Sequence, residues 1–271
     1  MKRLMIMIIM LTVMLTIGCG GEAPKEGVSV KLGLIRHLNA TETQMEELLT
    51  RVQEEEGVGV VKYAATYYDS LKLMQMGLES GSVEQMSVYS AVADYLMAQV
   101  DNYAAAEDKT LKMLSDDFCL AVRAQDVELK GELDKAISEL KADGTLDALI
   151  EKYIKEQETT AVEMPTGGEV LKVAVTGDLP PLDYVSAEGK AAGFNTALLA
   201  ELGKRLNRSV EIIAIESGAR AAALSSGQVD VVFWVAVPRG DNMPKDIDAP
   251  ENIILSEPYF KDDVKHLKLK K

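Results

Sequence analysis

A two-lobed α/β fold is what this 271-residue sequence predicts, and three observations predict it. Strand and helix signals alternate along both halves, and that alternation builds parallel sheets covered by helices. A short motif recurs at the same step of each half: "LESGSVEQMSVY" (78–89) and "LSSGQVDVVFWV" (224–235) share Leu-x-Ser-Gly-x-Val-acid before a β-rich run. A polar break, "ETTAVEMPTGG" (158–168), carries a proline and a Gly-Gly pair and reads as a linker.

The elements follow in order. "VSVKLGLI" (28–35) is a strand, and "NATETQMEELLTRVQEEE" (39–56) is a helix with Met45, Leu48, Leu49 and Val52 at helical spacing. "VGVVKYA" is a second strand, and after the "YYDS" turn "LKLMQMGLESG" is a helix capped by Asp69 or Ser70 and stopped at Gly81. "VEQMSVY" and "AVADYLMAQ" give a third strand and a further helix. "FCLAVRA" (118–124) is a strand, and residues 128–157 are two amphipathic helices broken at Asp143-Gly144. The second half repeats the grammar: strands at 170–177, 210–215 and 229–237, helices at 195–207 and 219–227.

Residues 1–18 stand apart from the fold. Lys2 and Arg3 precede an apolar run that stops at Cys19, as a secretory signal peptide does. "TIGC" reads as a lipoprotein cleavage site, with Cys19 lipid-modified, and residues 19–27 form a tether. Cys119, the other cysteine, lies in an apolar run and reads as a buried structural thiol. The net charge of -14 and the lack of a basic stripe argue against nucleic acid. Two histidines and no H-E-x-x-H pattern leave neither a metal site nor a nucleophile constellation, so no cofactor is expected and the chain does not read as an enzyme.

"LKVAVTGDLPPLDYVSAEGKAAGFNTALLAELGKRLN" and "ILSEPYFKDDV" resemble the opening lobe and first crossing of the bacterial extracellular solute-binding proteins, family 3. These are the amino-acid-binding receptors of ABC importers. "YYDSLKLMQMGLESGSVEQMSVYSAVADYLMAQ" resembles their second lobe, and residues 118–154 resemble the return crossing with its terminal helices. Here the last two come first. The resemblance implies a type 2 periplasmic binding protein fold, circularly permuted, with a ligand cleft between the lobes. Its domains would be a second-lobe-like part (28–117), a hinge strand with terminal helices (118–157), the linker (158–168), a first-lobe-like part (169–260) and a hinge strand or tail (261–271). One covalent crossing, near 118–124, would remain, with "VKHLKLKK" beside it as a non-covalent strand.

The same resemblance assigns the pocket. The family's carboxylate clamp, an Arg in a T-x-x-R stretch, falls on "VFWVAVPRGDN", where Arg239 stands without the Thr. Tyr89, followed by Ser90, occupies the place of the acid that receives an α-amino group. In the loop "DLPPLDY", which starts at Asp178, Leu182 replaces a stacking aromatic, with Tyr184 nearby. Trp234 is either a stacking platform or a core residue, and Arg220 points either into the cleft or to the surface. Asn39 and Thr41 either present groups to an anion or cap a helix, with Arg36 and His37 close by. The expected function is a lipid-anchored, extracytoplasmic receptor. As a monomer it captures a small polar molecule for an ABC permease, and its N-terminal lipid is its link to the membrane. A sensor or a protein-engaging module of the same fold is the alternative.

Overall fold

The computed structural model describes residues 29–35, 43, 47, 50, 62–106, 115–236 and 252–270. The expected leader, Cys19 and the expected tether lie outside the described residues. The α/β class is borne out. The first half contributes β1 (Ser29–Ile35), β2 (Lys62–Tyr68), α1 (Leu71–Glu79), β3 (Gln85–Tyr89), α2 (Ser90–Gln99) and β4 (Tyr103–Ala105). Then come β5 (Ser115–Arg123), α3 (Val127–Ala142) and α4 (Thr145–Leu149), which continues as a π-helical turn over Ile150–Lys155. The second half contributes β6 (Val170–Val175), β7 (Asp178–Leu179), β8 (Asp183–Val185), β9 (Ala191–Ala192), α5 (Phe194–Leu206) and β10 (Ser209–Ala214). A short 3-10 turn at Ser217–Ala219 leads into α6 (Arg220–Ser225), β11 (Val231–Ala236), β12 (Ile253–Leu255) and β13 (Phe260–Leu269).

One ten-stranded sheet runs β10-β6-β11-β5-β13-β3-β1-β2, with β12 on β5 and β4 on β13. Its two ends have the same plan. In each, the unit's second strand precedes its first and third, then comes an antiparallel strand, then the fourth: β10-β6-β11-β5-β12 and β2-β1-β3-β13-β4. The antiparallel strand is supplied by the other unit's sequence. β5 leaves the N-terminal unit and pairs with β11 and β12. β13 leaves the C-terminal unit and pairs with β3 and β4. The two meet antiparallel, Phe260 opposite Phe118. This corrects the expectation of a single covalent crossing. Residues 260–269 form the second one, held in the N-terminal unit because Leu267 is fully buried there.

The recurring motif repeats its main hydrogen bonds in both units. Gly81 and Gly227 take φ of +76° and +75°, left-handed values that glycine adopts without strain. Val83 and Val229, both buried, donate to Gly77 and Ala223 at 3.2 and 3.3 Å. Glu84 and Asp230 each donate a backbone N–H to the neighbouring strand, at Lys31 and Lys172, both at 2.8 Å. Their carboxylates accept the Lys31 and Lys172 amides at 2.9 and 3.1 Å in return. Side chain and main chain thus fix the strand order identically in the two units.

All four phenylalanines of the chain gather where the crossing strands pair. Phe118 lies 5.3 Å from Phe260 and 4.8 Å from Tyr89, while Phe194 lies 5.1 Å from Phe260. Tyr259 joins them 5.9 Å from Phe233. Each such pair adds about 1 kcal/mol beyond its buried area. The expected linker is docked rather than loose. Val162 and Met164 pack on the main core, Val162 donates to Ala191 O at 3.2 Å, and Gly167 is bonded both ways to Ser209.

Gly193 shows how tightly α5 is seated. Its φ is +101°, and an added Cβ would lie 2.5 Å from Leu182 O and 2.6 Å from Pro181 O. Those two carbonyls accept the first amides of α5, from Asn195 and Phe194. Gly193→Ala should therefore destabilise the fold by about 3 kcal/mol, through left-handed strain plus a backbone clash. Urea unfolding at neutral pH measures it, and a loss below about 1 kcal/mol would contradict this account.

Candidate functional site

The strand-end loops that face the junction of the two units carry the polar residues. The loop after β6 folds into the small sheet β7-β8-β9. At its heart Asp183 is 3% exposed. Its Oδ1 accepts the Thr176 hydroxyl at 2.7 Å and the Gly177 amide at 2.8 Å, and its Oδ2 accepts Asn195 Nδ2 at 2.8 Å. The chain of bonds continues as the buried Tyr259 hydroxyl donates to Asn195 Oδ1 at 3.0 Å. A buried carboxylate accepting three such bonds is held rigidly in place.

Arg220 is only 8% exposed, which decides against a surface role. It opens α6 and donates to Phe233 O at 3.4 Å. Burial lowers its pKa, opposed by Asp183 first and then by Tyr89, Asp178 and Tyr259. A guanidinium nonetheless stays cationic in this setting. Arg220 is thus a buried positive charge beside the junction. Its electrostatic neighbours include Asp178 from its own unit and Tyr89 from the other.

Asp178 and Tyr184 also reach the other unit. Asp178 Oδ2 accepts the Leu71 amide of α1 at 2.9 Å. Burial raises the Asp178 pKa, against the bonds from the Leu71 and Lys72 amides, with nearby Asp183 adding to the rise. The Tyr184 ring lies 6.4 Å from that of Tyr95 on α2, and its buried hydroxyl has no hydrogen-bond partner among the described residues. Tyr89 sits at the end of β3 and immediately before α2, whose first residue is Ser90. Both are half-buried. Ser70, not Asp69, caps α1, its hydroxyl accepting the Leu73 amide at 3.2 Å.

Leu182 is corrected. It is fully buried in the main core cluster rather than at the surface of a cleft. The turn in which Leu182 donates to Leu179 O at 2.8 Å carries it there. Trp234 lies in β11 opposite Cys119, but its side chain is outside the described residues. So are Arg239, Asn39, Thr41, Arg36 and His37. Cys119 is buried as expected, and burial pushes its thiol up to about 12, helped by the charge of Asp117.

Sequence reasoning missed four residues that organise the junction: Asp183, Asn195, Tyr259 and Asp262. Asp262, on β13, accepts the Ala91 amide at the start of α2 at 2.8 Å. Desolvation raises its pKa to about 6, against the backbone bonds from Ala91 and Asp263. Asp183 and Asn195 left one signal, polar side chains inside otherwise apolar runs, "PPLDYV" and "GFNTALL". Among the described residues there is no cluster of three or more metal-ligating side chains, and no helix is long and apolar enough to cross a membrane.

No curated protein matches this sequence. Among solved structures, the GluR0 ligand-binding core in complex with L-glutamate overlaps at a TM-score of 0.43 and 10% identity, over 91% of this chain and 87% of its own. The ligand-binding component of an ABC-type import system from Staphylococcus aureus, with zinc bound, overlaps at 0.45 and 11% identity, over 89% and 66%. A BvgS VFT2 domain from Bordetella pertussis overlaps at 0.39 and 9% identity, over 89% and 80%. These overlaps are loose, and the family match is a separate finding in the sequence. Over residues 171–236, the stretch from β6 to β11, this chain is similar to the bacterial extracellular solute-binding proteins, family 3, as its motifs implied.

Proposed function

We propose that this chain is an extracytoplasmic solute-binding receptor, lipid-anchored through Cys19, that captures a small polar molecule between its two units for an ABC importer. One observation carries the reading. The unit that matches the family supplies Asp178, Tyr184 and Arg220 to a junction with a second unit of the same strand order. Small-ligand sites occur at such junctions, outside the carboxyl ends of the strands. The matched family is one of binding proteins rather than enzymes.

In this reading the chain is a circular permutant. Residues 29–106 are the second lobe, 170–255 the first, β5 and β13 the hinge, and 158–168 join the family's usual ends. The family-like stretch beginning only at residue 171 supports that order. Ligand contacts are assigned to Asp178, Tyr184, Arg220, Tyr89 and Ser90, with Trp234, Arg239, Asn39 and Thr41 completing the cleft. Tyr89 in place of an acid favours a ligand other than a standard α-amino acid.

A thermal-shift screen of residues 20–271 against amino acids, polyamines, small peptides, nucleosides and aromatic acids tests this. A ligand at 100 times its dissociation constant adds about 2.7 kcal/mol of apparent stability. A hit that also shifts Trp234 fluorescence supports the receptor. Silence from a cooperatively folding sample would favour the alternative, a sensor or protein-engaging module.

A further inference from the structure

We propose that Asp178 is a latch that holds the two units together through the start of α1. The inference rests on the two-lobed reading above.

α1 has four N–H groups at its start without partners inside the helix. Within the N-terminal unit, Ser70 satisfies one of them, its hydroxyl taking the Leu73 amide at 3.2 Å. The amide of Leu71 instead goes to Asp178 at 2.9 Å, a residue 107 positions away in the other unit. The Lys72 amide is directed at the same carboxylate. A carboxylate at a helix start gains from both the donors and the helix dipole. This one gains only while the units stay close.

Two further features mark the same place. The small sheet that begins at Asp178 also carries Tyr184, whose ring meets Tyr95 of α2 across the junction. The start of α2 is likewise closed by a carboxylate, Asp262, which lies on β13 where that strand pairs with β5, two residues before Val264 pairs with Tyr89 at the start of α2. Asp262 is therefore held beside its helix by the adjoining ladder to β3. Asp178 is not, because β6 and its loop belong to the opposite unit. Of the two carboxylates only Asp178 is broken by hinge opening.

The test uses the ligand-free protein, so it does not depend on finding the ligand. Small-angle scattering and amide exchange are compared for the wild type, Asp178→Ala and Asp178→Asn. The alanine variant should show a larger radius of gyration and at least tenfold faster exchange at Leu71 and Lys72, with the asparagine variant between the two. If the alanine variant does not fold, the asparagine variant, which keeps the side-chain shape, carries the same comparison. A wild-type radius in every folded variant overturns the latch, even where exchange at Leu71 accelerates, since that result describes a local helix cap alone. Failure of the ligand screen with an enlarged radius would sink the receptor reading and leave the latch standing.

Discussion

Asp183→Ala should destabilise the protein by about 4 kcal/mol, the scale of breaking a buried, hydrogen-bonded charge. The side chain is almost fully buried and accepts from Thr176, Gly177 and Asn195. Its removal leaves three donors without their acceptor and takes from Arg220 the first of the charges that offset its burial. Asp183→Asn separates the charge from the bonds. The new amide can keep Thr176 and Gly177 on its oxygen, but its NH₂ then faces the Asn195 NH₂. Asn195 cannot simply turn, because its oxygen holds the Tyr259 hydroxyl. We expect a loss of about 2–3 kcal/mol for the asparagine variant. Urea unfolding with an unchanged m-value checks both numbers. Equal losses for the two variants would mean that the charge matters and the bond geometry does not.

Asp262→Asn has the opposite sign. Asp262 ionises at about 6 in the folded state against an ordinary 3.8, because burial outweighs its bonds to Ala91 and Asp263. Asp263 adds to the rise and Lys265 opposes it. A carboxyl that holds its proton more tightly when folded lowers stability as pH rises from about 4 through about 6. Above that window the full penalty is present, on the order of 3 kcal/mol. Asparagine keeps an acceptor for the Ala91 amide and never ionises. The variant should therefore gain about 2 kcal/mol at pH 8, or about 6 °C in melting temperature, and nothing at pH 4. A gain of the same size at both pH values would show that repacking, not ionisation, is responsible.

Much of this fold was legible because it is written locally. Alternating runs placed β1, β6 and α5 within a residue or two. Glycines at Gly81 and Gly227, a serine before α1 and an acid at Glu84 and Asp230 each specify a turn or a ladder bond through a few neighbouring atoms. The repeated motif consequently predicted two like units. β4, β12 and the small sheet β7-β8-β9 left no such signal, since strands of two or three residues are too short to show a period.

By itself, then, the sequence determined the α/β class, the doubling of the unit and the family-like stretch from 171 to 236. These depend on periodicity, backbone conformation and motif, which are properties of contiguous residues. Only the tertiary structure decided that β5 and β13 are exchanged between the units, that Leu182 is core and that Arg220 is buried. It alone joined Asp178 to α1, Asp262 to α2 and Tyr259 to Asn195, across 107, 171 and 64 residues. The reason is physical. A buried polar group must find a partner wherever the fold brings one, and distance along the chain carries no record of which partner that is.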